Sequence, residues 1–132
     1  MILDWNEDIY SVGIRKLDLQ HKQLIGLINA LHAQRESTDK EFIDRVFTTL
    51  ITYTKQHFVD EEKILKKLHY PKLEPHKKQH FQFVHSLNGM KANYDKTGIS
   101  PTVIDHLTNF LSDWIKNHIL VEYKAYQAFL EA

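Results

Sequence analysis

The sequence predicts an all-α protein: an up-down-up-down four-helix bundle with an extended N-terminal arm. Three observations lead there. Four long stretches repeat apolar residues at every third and fourth position, which makes one apolar stripe on a helix. Each stretch is bracketed by cap residues, proline or glycine. No stretch alternates apolar and polar residues as a half-buried strand does. The 132 residues suffice to bury a core and are read as one domain, residues 1–132.

Residues 1 to 17 have no clean period. Trp5, Ile9, Tyr10, Val12, Ile14 and Leu17 are large and apolar, and Gly13 interrupts them. So much apolar surface is costly to leave in water, so this segment is expected to lie along the body as an extended arm. The first helix is expected from Asp18 to Arg35, with Leu24, Ile25, Ile28 and Leu31 as its stripe. His21 sits on that stripe, one turn before Leu24 and Ile25.

Thr38 followed by Glu41 reads as a capping box opening the second helix. That helix runs to Leu68, where Tyr70-Pro71 stops it. Its expected stripe is Val46, Leu50, Tyr53, Ile64 and Leu68, with His57 and Glu61 between. The third helix spans Leu73 to Tyr94, tolerates Pro75 in its first turn and ends at Thr97-Gly98. Its face carries His76, His80, Phe83, Val84, Leu87 and Tyr94. Ser100 caps the fourth helix and Pro101 takes its first position. The stripe there is Ile104, Leu107, Leu111, Trp114, His118 and Val121, then Glu122, Ala125 and Phe129.

Composition narrows the function. Seventeen basic and seventeen acidic residues leave no net charge, which argues against a nucleic-acid or anionic-membrane partner. The absence of cysteine removes disulfides, thiolate metal sites and thiol chemistry. The Met1–Trp5 start lacks the basic and apolar regions of a signal peptide. No run approaches the ~20 apolar residues of a membrane span. A cytoplasmic protein is expected. The unusual feature of the composition is histidine, with nine residues.

Seven polar side chains fall on the apolar stripes: His21, His57, Glu61, His76, His80, His118 and Glu122. Positions i and i+4 share a helix face, and three of the four helices carry such a pair. A lone histidine on an apolar stripe is usually an ordinary core residue. Several pairs on separate helices of one small bundle are hard to produce by chance. Buried imidazoles and carboxylates need partners, and a bound metal satisfies several at once. An imidazole-rich set with a few carboxylates suits iron, zinc, copper or nickel over calcium or magnesium. Seven donors exceed one tetrahedral zinc. Two octahedral irons sharing a carboxylate could use them. His32, His69, His85 and His106 lie off the stripes or in a turn and are read as ordinary residues.

These motifs resemble the bacterial hemerythrins across nearly the whole chain. The likeness rests on Trp5, Val12-Gly13-Ile14, Asp18-Leu19-Gln20-His21-Lys22, His57-Phe58 with Glu61-Glu62, Pro75-His76 with His80, and Trp114-Ile115-Lys116-Asn117-His118-Ile119. The resemblance implies an oxo- or hydroxo-bridged pair of non-heme irons that binds dioxygen reversibly, as an oxygen carrier or store. It implies His76, His80 and His118 on one iron, His21 and His57 on the other, and Glu61 as one bridge. The family pattern then has an aspartate five residues after the last histidine, where this chain has Tyr123. Glu122 comes one residue earlier. In a regular helix it lies about 40° from His118 and Tyr123 about 140° away. Glu122 is the expected second bridge, and Tyr123, bound as phenolate at a local bulge, is the alternative.

On this resemblance dioxygen goes to the iron of His21 and His57, in a pocket expected to be lined by Trp114, Ile115, Ile119, Leu24 and Phe58. The protein is expected not to be an enzyme. Two other readings stay open: an iron, oxygen or redox sensor acting on an unidentified protein partner, and a diiron oxidase or peroxidase.

Overall fold

Four helices make up nearly all of the described chain: α1 (Arg15–Ala33), α2 (Lys40–Lys67), α3 (Leu73–Thr97) and α4 (Pro101–Leu130). The computed structural model describes residues 3–6, 10–36, 39–98 and 100–130, apart from the side chains of 122–128 and 130. No strand occurs among these residues, and the helices form the expected bundle.

The helix ends differ in detail from the sequence reading. α1 begins at Arg15, three residues early, after Ile14 in extended conformation with no side-chain cap. Asp18 therefore falls in the first turn, where a carboxylate suits the helix dipole. It reaches back to the arm, accepting from the Val12 N–H (2.8 Å) and the Ser11 hydroxyl (2.6 Å). Gly13 makes the intervening turn at φ +77°, a conformation that strains any L side chain. At the arm's far end, Leu3 exchanges both backbone hydrogen bonds with the Asn29 side chain, at 3.1 and 2.6 Å. Tyr10 and Val12 are buried in the core. The Tyr10 N–H donates to the Asn6 carbonyl at 2.8 Å. Ile9 lies outside the described residues.

Asp39 is the N-cap of α2, accepting from the Phe42 N–H at 3.1 Å, so the helix starts one residue later than a Thr38 cap would place it. Thr38 itself lies outside the described residues. α2 ends in a Schellman pattern: Tyr70 N–H to Leu65 O (2.9 Å) and His69 N–H to Lys66 O (3.0 Å). His69 takes the left-handed position at φ +56°, the place usually given to glycine. Gly98 closes α3, and the Ser100 hydroxyl caps α4 by accepting from Val103 N–H at 3.2 Å.

Every stripe residue expected of α1 is buried. The stripe of α2 is rotated from the expectation and runs through Ile43, Phe47, Leu50, Thr54, His57, Phe58, Glu61 and Leu65. Val46, Tyr53 and Ile64 flank it half-buried, and Leu68 is exposed because it lies past the helix end. On α4, Val121 is 64% exposed while Ile115 and Ile119 are buried, so the inner face passes through 118–119. The side chain of Ala125 lies outside the described residues.

Antiparallel order stacks the core in two halves. Near the α1–α2 loop, Leu31, Ile43, Phe47, Tyr94 and Ile104 are almost fully buried, with Phe47 against Tyr94 at 5.7 Å. Truncating any one of these costs about 2–5 kcal/mol. The opposite half carries the histidines. α1 packs on α2 and α4, and α2 on α3. Among the described residues the α3–α4 seam is closed least tightly, and a cleft opens there.

Candidate metal centre

Helical spacing brings six of the seven expected side chains to one place. α1 supplies His21, α2 His57 and Glu61, α3 His76 and His80, and α4 His118, all buried. Glu61 is the centre of the arrangement and is wholly buried. Its Oε1 is bonded to His76 Nε2 and faces His80 Nε2 (3.2 Å) and His118 Nε2 (3.2 Å). Its Oε2 faces His57 Nε2 (3.1 Å) and His21 Nε2 (3.7 Å). The donors thus fall into two groups sharing one carboxylate: Glu61, His76, His80 and His118, and His21, His57 and Glu61. Within each group the ligand atoms lie within 4.8 Å of one another.

The outer nitrogens explain how two of the rings are aimed. Gln20 gives its amide nitrogen to Asp60 Oδ2 (2.7 Å), which turns its carbonyl to His57 Nδ1 at 2.7 Å. Nδ1 therefore carries the proton, and Nε2 presents a lone pair to the centre. Asp60 is held in turn by the Gln56 amide (3.1 Å) and approached by Lys16 (3.8 Å). On the other side His80 Nδ1 donates to Glu62 Oε2 at 2.9 Å, so its Nε2 also points a lone pair inward. Hydrogen-bonded supports of this kind fix the tautomer and raise the basicity of a metal ligand. The sequence alone does not mark Gln20, Asp60 and Glu62 as functional. Their one signal is their place next to ligands: Gln20 beside His21, and Asp60 and Glu62 on either side of Glu61.

Aromatic rings hold the three-histidine group. Phe58 stacks on His80 (3.8 Å, 4°), and Trp114 stacks on His118 (4.5 Å, 12°). Phe58 also touches His57 at 5.8 Å, and Leu24, Phe58, Ile115 and Ile119 are members of the continuous core, with Trp114 packed against it. Burial lowers the pKa of His21, and it lowers that of His118 to about 4, so both rings are neutral near pH 7. Burial alone would raise the Glu61 carboxyl. The imidazoles around it, His118 first, outweigh that and hold it well below the usual carboxylate range.

The backbone of Glu122 and Tyr123 belongs to α4, but their side chains lie outside the described residues. The remaining histidines are elsewhere. His32 faces Asp105 at 3.8 Å, His69 forms the turn after α2, and His85 and His106 are exposed.

The model of the hemerythrin HHE cation binding domain matches residues 12–130. The chain belongs to this family. It is 29% identical to the bacteriohemerythrin of Stenotrophomonas maltophilia over 95% of this chain and 79% of that one. It is 32% identical to the bacteriohemerythrin of Pseudomonas aeruginosa over 89% of this chain and 74% of that one. The myohemerythrin of Theromyzon tessulatum is 30% identical over 87% and 82%. A crystal structure of wild-type hemerythrin superposes with a TM-score of 0.87 at 25% identity, over 100% of both chains.

The residues of this chain fit a cation. His57 Nε2 and His80 Nε2 face the Glu61 carboxylate at 3.1 and 3.2 Å. Buried His57 Nε2, His80 Nε2 and both nitrogens of His21 make no hydrogen bond among the described residues. Each such atom costs about 1–3 kcal/mol when left unmade. A metal between the groups satisfies them together, and neutral imidazole is the form that binds it. Among the described residues no helix is long and apolar enough to cross a membrane.

Proposed function

We propose that this chain holds two non-heme irons and binds dioxygen reversibly. The observation that carries this reading is the pair of unequal donor groups joined by Glu61. His76, His80 and His118 would hold one iron and His21 and His57 the other, with Glu61 between. Glu122 would supply the second shared carboxylate. When bound, ferrous iron supplies electrons that dioxygen can take up and return.

The chain's own residues do the rest. The His21–His57 side offers fewer protein donors, so it leaves more of a metal's coordination shell to an outside ligand. Leu24, Ile115 and Ile119 in the surrounding core keep bulk water and its protons away. The Gln20–Asp60 chain holds His57 in one tautomer. Support also comes from relatives named bacteriohemerythrin and myohemerythrin. The protein is then a binder and not an enzyme, working in the cytoplasm.

The test is optical. Iron-loaded, reduced protein should colour on exposure to air and bleach when oxygen is removed, over repeated cycles. One-way oxidation in the first cycle would overturn the carrier reading.

A further inference from the structure

The six donors are not sealed equally. Relative exposure is 0–2% for His21, His57, Glu61, His76 and His80, and 6% for His118. A metal ion can reach donors this deep only along a path through the protein, and a metal site needs such a path. The cleft at the α3–α4 seam, with a volume of about 410 Å³, comes as far as His118, which forms part of its wall. A second groove, of about 340 Å³ on the α2–α3 face, comes as far as His80.

A cation would meet different chemistry in the two. The α2–α3 groove carries Lys55 and Lys77, whose ammonium groups repel it. Glu62, the acid in that groove, already accepts from His80 Nδ1 at 2.9 Å, and Phe58 lies flat on the His80 ring. The α3–α4 cleft instead presents Gln79, Gln82 and Asn117, whose side-chain oxygens can replace water around an ion. The histidine at its inner end is also held differently. Outer nitrogens of His57 and His80 are hydrogen-bonded to Gln20 and Glu62, whereas His118 Nδ1 makes no hydrogen bond among the described residues. Trp114 stacks on the His118 ring, but the ring can turn toward an arriving ion without breaking a hydrogen bond at Nδ1.

We propose that the α3–α4 cleft is the entry path for the metal, and that His118 is the first of the buried donors a divalent cation meets. Gln79, Gln82 and Asn117 take over from water at the outer part of the path. His118 binds next. Glu61 follows, because its Oε1 already faces His118 Nε2 at 3.2 Å. Its other oxygen faces His57 Nε2 (3.1 Å) and His21 Nε2 (3.7 Å), so one carboxylate opens the way to both donor groups. The same path serves for release. The inference rests on the part of the reading above in which these donors hold metal. It does not depend on the metal being iron or on dioxygen binding.

Cobalt(II) is the probe, because its visible absorption reports binding directly. Metal-free protein is mixed with cobalt(II) under nitrogen and uptake is timed; release is timed after adding excess EDTA. Ser86 is an exposed residue of the cleft wall. Ser86→Trp should slow uptake and release alike, at least tenfold, with the cobalt bound at saturation and its spectrum unchanged. Equal slowing in both directions marks a blocked path, whereas a damaged centre releases metal faster. Gln82→Trp, on the same wall, carries the same expectation if circular dichroism shows that Ser86→Trp does not fold. Val59→Trp, which fills the α2–α3 groove, should leave both rates nearly unchanged. Unchanged rates in the folded cleft variants, or equal slowing by Val59→Trp, would overturn the α3–α4 path. A wild-type chain that binds no cobalt would overturn the metal centre together with its path. Normal cobalt kinetics beside a failed oxygen cycle would uphold the path and remove only the carrier reading.

Discussion

The two sides of the centre share Glu61 and little else. Around His76, His80 and His118 the supports are mainly flat rings: Phe58 on His80, Trp114 on His118, Phe83 behind Trp114. Around His21 and His57 the support is polar. Gln20 grips His57, Asp60 grips Gln20, and Gln56 and Lys16 tie Asp60 toward the surface. His21 packs edge-on against His57 at 4.6 Å, with no hydrogen bond of its own among the described residues. Stacking fixes a ring's plane but not its tautomer, whereas a hydrogen bond fixes both. Among the described residues, one carboxylate thus joins three imidazoles held largely by stacked rings to two imidazoles of which one is held by a hydrogen-bonded chain.

The largest test of this contrast removes what the two sides share. Glu61→Ala should abolish metal binding at both, and each imidazole N–H left unpaired should cost the metal-free chain about 1–3 kcal/mol. Metal analysis and chemical denaturation would show it; retained iron would contradict the central place given to Glu61. Next come variants that separate the sides. His118→Ala and His21→Ala should each halve the iron content, from opposite sides. Loss of all iron in both variants would show that the sides cannot fill independently.

Acid should act through the buried ligands. With burial holding His118 at about 4 against 6.5 when unfolded, the unfolded chain takes up a proton that the folded chain refuses between those values. Stability of the metal-free protein should fall by about 3 kcal/mol as pH drops from 6.5 to 4. Glu61, with its pKa held low, adds a loss at still lower pH, in the same direction. A flat denaturation profile across that window would contradict the burial argument. The smallest effect is expected at the polar support. Gln20→Leu should weaken metal binding about 10–100-fold on the His21–His57 side only, which is about 1.4–2.7 kcal/mol. Equal weakening on both sides, read from sequential metal titration, would remove the distinction between them.

The contrast itself is only half legible in the sequence. Helix number, order and approximate ends follow from periodicity and from Pro71, Gly98 and Pro101. The six converging donors are visible because histidine and glutamate on apolar stripes are anomalous. Details set by three-dimensional packing are not. Ile14 carries no capping signal, so nothing in the sequence marks the early start of α1, and α2 is capped by Asp39 rather than Thr38. Leu68 and Val121 satisfy the apolar spacing but sit past a helix end and on an outer face. Gln20, Asp60 and Glu62 are half-buried polar residues, which a sequence presents as solvated surface. Phe58 and Trp114 are recognisable as inward, but a stripe does not say which ligand an aromatic ring will cover.

The proposed function depends on this chain holding two inequivalent irons joined through Glu61. The direct measurement is the iron content and Mössbauer spectrum of protein reconstituted anaerobically with isotopically enriched iron and then oxidised. Two irons per chain, magnetically coupled, with the lines of the His21–His57 iron alone shifting when azide is added, is the predicted result. One iron per chain, or two that do not couple, would contradict it.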